Sequence, residues 1–266
     1  MKHWPLLLLL LFTAPLLHAQ DVVTAERAFA QLAIDSSVKT AFLRFADSNG
    51  VVFDQGNILP AIKTWSSFPD KMPLFYWQPA FAAMSYAGDL GFTTGPYEVK
   101  ASATDTPLVC GHYTTVWKKN AQGEWKFMAD MGTRYEQSLY GKQSLQHFTD
   151  LVPSGQPDSA IYLLEKKLIL AHDSLADEAF RFAAADSAWF NIEGVMPVQG
   201  IENIMNGLRQ VPVSLRFEPV AGGISQRKDL AYVYGTVKYN QRKETYLRIW
   251  AHTSKGWKLL VQVLHW

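Results

Sequence analysis

The chain repeats its own order of landmarks. Ala33, Asp35, Ser36, Ala41 and Phe42 recur as Ala171, Asp173, Ser174, Ala179 and Phe180, each 138 residues later. Ser85, Asp89 and Leu90 recur as Ser225, Asp229 and Leu230 at a spacing of 140, and Tyr113 and Trp117 recur as Tyr246 and Trp250 at 133. Gly123 precedes Trp125-Lys126, and Gly256 precedes Trp257-Lys258. The fall in spacing puts extra residues in the first copy, within Lys100 to Pro107. A period this long is no solenoid repeat. It points to two tandem domains of one layout, at residues 20–139 and 158–266, joined by a linker at 140–157 where Gly141, Pro153, Gly155 and Pro157 cluster.

Each copy reads as helices followed by strands. Ala25, Phe29, Leu32 and Ala33 have helical spacing, and Asp35-Ser36-Ser37 can cap a second helix through Ala46. Val51 to Phe53 reads as a short strand, and Pro60 opens a short helix through Trp65. Strand-like stretches follow at about 74–86, 89–100, 108–118 and 124–133. The second copy predicts helices at Ser159–His172 and Ser174–Ala185, a strand near Trp189-Phe190 and a helix at about 198–208. Its strands fall at about 213–222, 229–239, 244–252 and 257–265. Helices first and an antiparallel run afterwards define an α+β fold.

Residues 1–19 stand apart. Lys2, the run Leu6 to Leu11 and the small residue Ala19 have the order of a secretory signal peptide cut after Ala19. The apolar run is too short to span a bilayer comfortably, so a secreted or periplasmic chain with no membrane attachment after cleavage is expected. Loss of Lys2 brings the 25 basic and 24 acidic residues into balance, which argues against nucleic-acid partners. The single Cys110 rules out an intramolecular disulfide and reads as a small buried hydrophobe. Arg227 to Lys258 is locally basic, a wet face that favours acidic partners.

The order of elements resembles the nuclear transport factor 2-like superfamily, also called SnoaL-like or cystatin-like. In residues 24–132, Trp77-Gln78-Pro79, Gly88 to Tyr97, Gly111-His112-Tyr113, Val116 to Lys119 and Gly123 to Lys126 resemble the bacterial SnoaL-like group named domain of unknown function 4440. The second copy keeps the Asp-Leu and Trp-Lys landmarks but lacks the Thr-Thr-Gly-Pro run, so its resemblance reaches only the superfamily. The resemblance implies two cone-shaped half-barrels, each with a pocket between sheet and helix. The superfamily includes isomerases, dehydratases, polyketide cyclases, binding modules and dimerisation modules, and fold does not choose among them.

No dinucleotide, phosphate-loop, zinc-protease or serine-hydrolase motif is present. Ser36 to Lys39 matches Ser-x-x-Lys but has no Lys-Thr-Gly partner, and helix capping explains it better. The seven His show no metal spacing, so neither metal nor cofactor is expected, and His172-Asp173 is read as a cap at a helix break. Superfamily enzymes place a carboxylate or His in the pocket as a proton shuttle. His112 and Asp130 are the candidates, meeting on neighbouring strands and facing the pocket; the alternative puts both on the outer, solvated face. Trp77 and Tyr97 are candidate pocket walls. Arg248 and Trp250 share a strand face with Tyr246 and His252, which suits a pocket for an anion, a solvated face or a contact with the other domain. Three roles stay open: a binding protein for a small, partly apolar molecule, an isomerase, dehydratase or cyclase, and a structural pair of domains with filled cones.

Overall fold

The structure, a computed structural model, describes residues 18–211 and 214–266. Nearly all of the expected signal peptide, and the first residue of the strand expected at 213–222, lie outside the described residues.

The first half contains α1 (His18–Asp35), α2 (Val38–Phe45), β1 (Ala46–Asp54), β2 (Asn57–Pro60), α3 (Ala61–Ser67), β3 (Leu74–Trp77), β4 (Phe81–Met84), β5 (Leu90–Lys100), β6 (Val109–Lys119) and β7 (Trp125–Tyr135). A connecting segment carries β8 (Gln146–His147). The second half contains α4 (Ala160–Leu175), α5 (Glu178–Ala183), β9 (Ala184–Ile192), β10 (Val198–Gln199), α6 (Ile201–Leu208), β11 (Arg216–Ile224), β12 (Leu230–Tyr239), β13 (Arg242–Thr253) and β14 (Gly256–Leu264). Ser37 caps α2, its hydroxyl accepting from the Thr40 amide at 3.0 Å. Lys39 of the Ser-x-x-Lys sequence is tied to Asp70 at 2.8 Å. His172 lies within α4 and packs on Phe180 and Phe217 instead of capping a break. Cys110 is half-buried, and desolvation raises its thiol pKa.

There are two separate sheets. Their orders are β2-β1-β7-β6-β5-β4-β8, with β3 also on β5, and β10-β9-β14-β13-β12-β11. Both are mixed and not purely antiparallel, because β1 runs parallel to β7 and β9 parallel to β14. The first and last strands of each half are joined by a long path, which leaves them free to run the same way. The expected strand at 74–86 is two strands, β3 and β4, both pairing with β5.

The halves meet through their sheets. Phe81, Phe92, Val116, Ala129 and Met131, on the face of the first sheet turned from its helices, join the apolar cluster of the second half. The helix-side face of the first sheet has its own cluster, centred on Phe29, Phe42, Trp117 and Phe127. Between the halves, Asn191 Nδ2 donates to the hydroxyls of Thr94 and Thr114, each at 3.1 Å.

One contact is reciprocal. Ser85 donates to Asp89 Oδ1 at 2.8 Å, and Ser225 donates to Asp229 Oδ1 at 2.6 Å. The second oxygen of each aspartate crosses to the other half: Asp89 accepts from the Gln226 amide at 2.9 Å, and Asp229 from the Tyr86 amide at 2.6 Å. The two turns thus relate as halves of a twofold contact. Asp229 is fully buried. Asp229→Ala strands the Tyr86 amide and frees the Ser225 turn, and should cost about 1–3 kcal/mol in urea unfolding. A loss below about 0.3 kcal/mol would show that the bracket does not hold the halves.

Candidate functional site

Helix α1 carries an apolar stripe, Val22, Phe29, Ala30 and Ala33, and Glu26 interrupts it while wholly buried. Three donors converge on Glu26: the Trp77 indole at 2.6 Å, the Trp117 indole at 3.0 Å and the Thr93 hydroxyl in a short contact. Burial outweighs these bonds and raises its pKa to about 7, with the nearby Asp130 pushing the same way.

Beside this acid, between the sheet and the helices, lies a cavity of about 470 Å³. That volume is within the range of small-molecule sites. Phe42, Trp65, Phe75, Trp77, Tyr97 and Tyr113 supply most of its aromatic wall. The Asp130 carboxylate faces it from β7 and accepts the Thr115 hydroxyl at 2.5 Å. Desolvation raises Asp130 to about 6 against the lowering effect of Thr115. The Tyr113 hydroxyl is buried with no hydrogen-bond partner. Burial lifts Tyr97 to about 12, moderated by Arg134. Asp54 and Arg134, both exposed, also touch the cavity. Tyr97 fits because Gly111 lies under its ring; a Cβ there would stand 2.3 Å from the ring and 2.1 Å from the Thr133 carbonyl.

His112 is not in this cavity. Its partner across the ladder is Thr133, whereas Asp130 pairs with Thr115, so the two side chains project from opposite faces. Nor is His112 solvated. It is fully buried between the halves, its ring stacked on Trp189 at 5.6 Å, with neither ring nitrogen hydrogen-bonded. Strict alternation along β7 also fails. A bulge at Met128, between the pairs Val116–Ala129 and Trp117–Phe127, puts Phe127 on the same side as Asp130.

The second half builds the same frame and sets an ion pair where the first has its aromatic cavity; beside it a more polar hollow of about 810 Å³ lies between α4 and β11, lined in part by His172, Asp177, Arg216, Phe217 and Glu218. Glu165 of α4 is fully buried and accepts from the Trp250 indole and the Tyr246 hydroxyl, each at 3.1 Å, and from Arg248 in a short ion pair. Arg248 Nε also donates to Gln262 Oε1 at 2.8 Å, and its guanidinium lies 4.2 Å from the Phe217 ring centre and 4.7 Å from that of Tyr246. Arg248 and Trp250 are therefore interior parts and not a free anion site. His252 points away, to the Val152 carbonyl at 2.7 Å.

Glu26, Thr115, Glu165 and Gln262 were not singled out from the sequence. The available signal was one acid inside each apolar helix stripe, Glu26 between Val22 and Phe29 and Glu165 between Ile161 and Leu168. Among the described residues no group of His, Cys, Asp and Glu is arranged to hold a metal ion.

No protein-family model and no curated protein matches the chain. Among solved structures it is similar to an NTF2-like protein from Cytophaga hutchinsonii, with 21% identity, covering 40% of this chain and 93% of that one at a TM-score of 0.33. It is also similar to an NTF-2 like protein of unknown function from Shewanella oneidensis, with 16% identity, covering 42% and 96% at 0.36. A third likeness is to a domain of unknown function with a cystatin-like fold from Nostoc punctiforme, with 17% identity, covering 40% and 74% at 0.34.

Proposed function

We propose that the chain is an exported pair of nuclear-transport-factor-2-like domains at residues 20–139 and 158–266, in which the first binds a small, partly apolar molecule. The Leu-rich start and Ala19 support export. The observation that carries the binding reading is the contrast between the halves: one frame encloses an aromatic cavity of about 470 Å³, and the other holds the Arg248–Glu165 ion pair. The second half then serves as a structural partner, its sheet covering the back of the first.

A direct test follows the fluorescence of Trp65 and Trp77 on the cavity wall during titration with a panel of small aromatic probes. Binding should shift the emission, and Val109→Trp, which fills the cavity, should abolish binding while the chain stays folded. A panel with no member that shifts the emission, or undiminished binding by Val109→Trp, would refute the reading.

Asp130 and the unpartnered Tyr113 hydroxyl favour a second reading, proton transfer on the bound molecule. An isomerase, dehydratase or cyclase working through Asp130 as base would lose activity as pH falls below about 6 and lose about 10²–10⁴-fold with Asp130→Asn.

A further inference from the structure

We propose that the first cavity is built for a cation: a ligand whose apolar body carries an amidinium or guanidinium group seated at Asp130. This rests on the binding reading above and adds the charge class of the ligand.

The second half shows what the frame accommodates. Strand registers set the correspondence. Tyr113–Gly132, Thr115–Asp130 and Trp117–Phe127 in the first sheet match Tyr246–Leu264, Arg248–Gln262 and Trp250–Leu259 in the second, and in both sheets a bulge falls just before the last of these pairs. Trp77–Tyr97 likewise matches Phe217–Val237. The two acids match as well, because each accepts the indole of the matched tryptophan.

In the second half a guanidinium sits among Phe180, Phe217 and Tyr246, ion-paired to the helix acid. The counterparts of those rings are Phe42, Trp77 and Tyr113, and all three line the first cavity. The box has the same size: Phe42 and Trp77 have ring centres 6.3 Å apart, and Phe180 and Phe217 are 6.4 Å apart. Where the second half has Arg248, the first has Thr115, which cannot reach into the box. Where the second half has the neutral Gln262, the first has the acid Asp130. The first half thus keeps the aromatic box, keeps the helix acid, adds a second acid and supplies no cation of its own within it. Tyr113 shows the same gap from another side. Its counterpart Tyr246 donates to Glu165, while the Tyr113 hydroxyl is buried on the cavity wall with no partner.

Among the described residues, the charged and titratable groups facing Asp130 are Glu26 from α1, Asp54 from β1, Tyr97 from β5, Tyr113 from β6 and, on its own strand, Arg134. Arg134 and Asp54 are both exposed, so water and salt screen them, whereas Glu26 is wholly buried and Asp130 is half-buried on the cavity wall. A cation entering the box meets net negative charge and aromatic faces, as Arg248 does.

The experiment is calorimetric titration of the full chain with three ligands of one shape: 2-naphthylguanidinium, neutral 2-naphthylurea and anionic 2-naphthoate. At pH 7.5 the guanidinium should bind at least tenfold more tightly than the urea, with the naphthoate weakest. Asp130→Asn should erase that advantage without abolishing urea binding, and lowering the pH to 5 should shrink it several-fold as Asp130 takes up a proton. Thr115→Arg should seat an internal guanidinium and abolish binding of all three. Urea or naphthoate binding as tightly as the guanidinium, or an advantage that survives Asp130→Asn, would overturn the cation class and leave the binding reading standing. Absence of binding by all three would overturn both.

Discussion

Replacement of Glu165 by alanine is expected to destabilise the chain by about 3–5 kcal/mol, the usual cost of removing one partner from a buried ion pair. Arg248 and Glu165 are both fully shielded from solvent. Without the carboxylate, the guanidinium keeps its rings and Gln262 but no counter-charge. Tyr246 and Trp250 lose their acceptor in the same step. At roughly 2–4 °C per kcal/mol for a unit of this size, scanning calorimetry should record a fall in Tm on the order of 10 °C. The double variant Glu165→Met with Arg248→Leu should recover most of that loss, because removing both charges together leaves nothing stranded. Glu26→Ala in the first half makes a useful contrast. Among the described residues no basic side chain pairs with Glu26, so its loss should cost distinctly less. A Glu165→Ala protein within about 1 kcal/mol of the parent would mean that the pair does not hold the second half together.

The second large effect concerns acid. His112 is held at about 3 by desolvation alone, against an ordinary value of 6.5. On acidification the unfolded chain therefore takes up a proton that the folded chain refuses. The stability tied to His112 is complete above pH 6.5 and drains as pH falls toward 3, at about 1.4 kcal/mol per pH unit. Glu26 and Asp130 act in the opposite sense. Their folded values are raised to about 7 and about 6, so their cost to the fold is present at high pH and is relieved as pH falls toward 4.5 and 3.8. In the parent protein these trends offset one another and hide the histidine. His112→Leu uncovers it. Between pH 7.5 and pH 5 the variant should gain about 2 kcal/mol relative to the parent, read from urea midpoints at the two pH values. Its ring nitrogens have no partners to lose, so at pH 7.5 the variant should be no less stable. Parallel pH curves for the two proteins would place His112 in contact with water.

The element order and the pairing of turns were legible because the residues concerned obey local rules. Ser85–Asp89 and Ser225–Asp229 form the same turn, and residues bound by the same backbone geometry recur in the same order. Trp77 and Tyr97, candidate walls as aromatics on strands, both line the cavity. Three other features were not legible. The bulge at Met128 breaks the period-two pattern that face assignment relies on, and a bulge leaves no mark in composition. His112 looked equally suited to a pocket or to solvent, because nothing in one half announces that the back of its sheet will be covered by the other. The buried acids escaped for a third reason. Matching identities at a spacing of 138 sets Ala33 against Ala171, whereas the indole contacts set Glu26 against Glu165, 139 apart. The path from the helix acid to the matched phenylalanine is one residue shorter in the second half, 15 positions from Glu165 to Phe180 against 16 from Glu26 to Phe42, and this slip hid the most informative pair in the chain.

The connecting segment has a consequence of its own. The Gln146 and Phe148 amides bond to the carbonyls of Ala80 and Ala82, while those of Val152 and Ser154 bond to His252 and Arg227. Those residues serve less as a tether than as a selvedge sewn along two fabrics. A polypeptide halted at 139 would bare Phe81–Met84 as a ragged, apolar margin ready to recruit a neighbour. Separating the first half from the second therefore requires this strip to travel with the first.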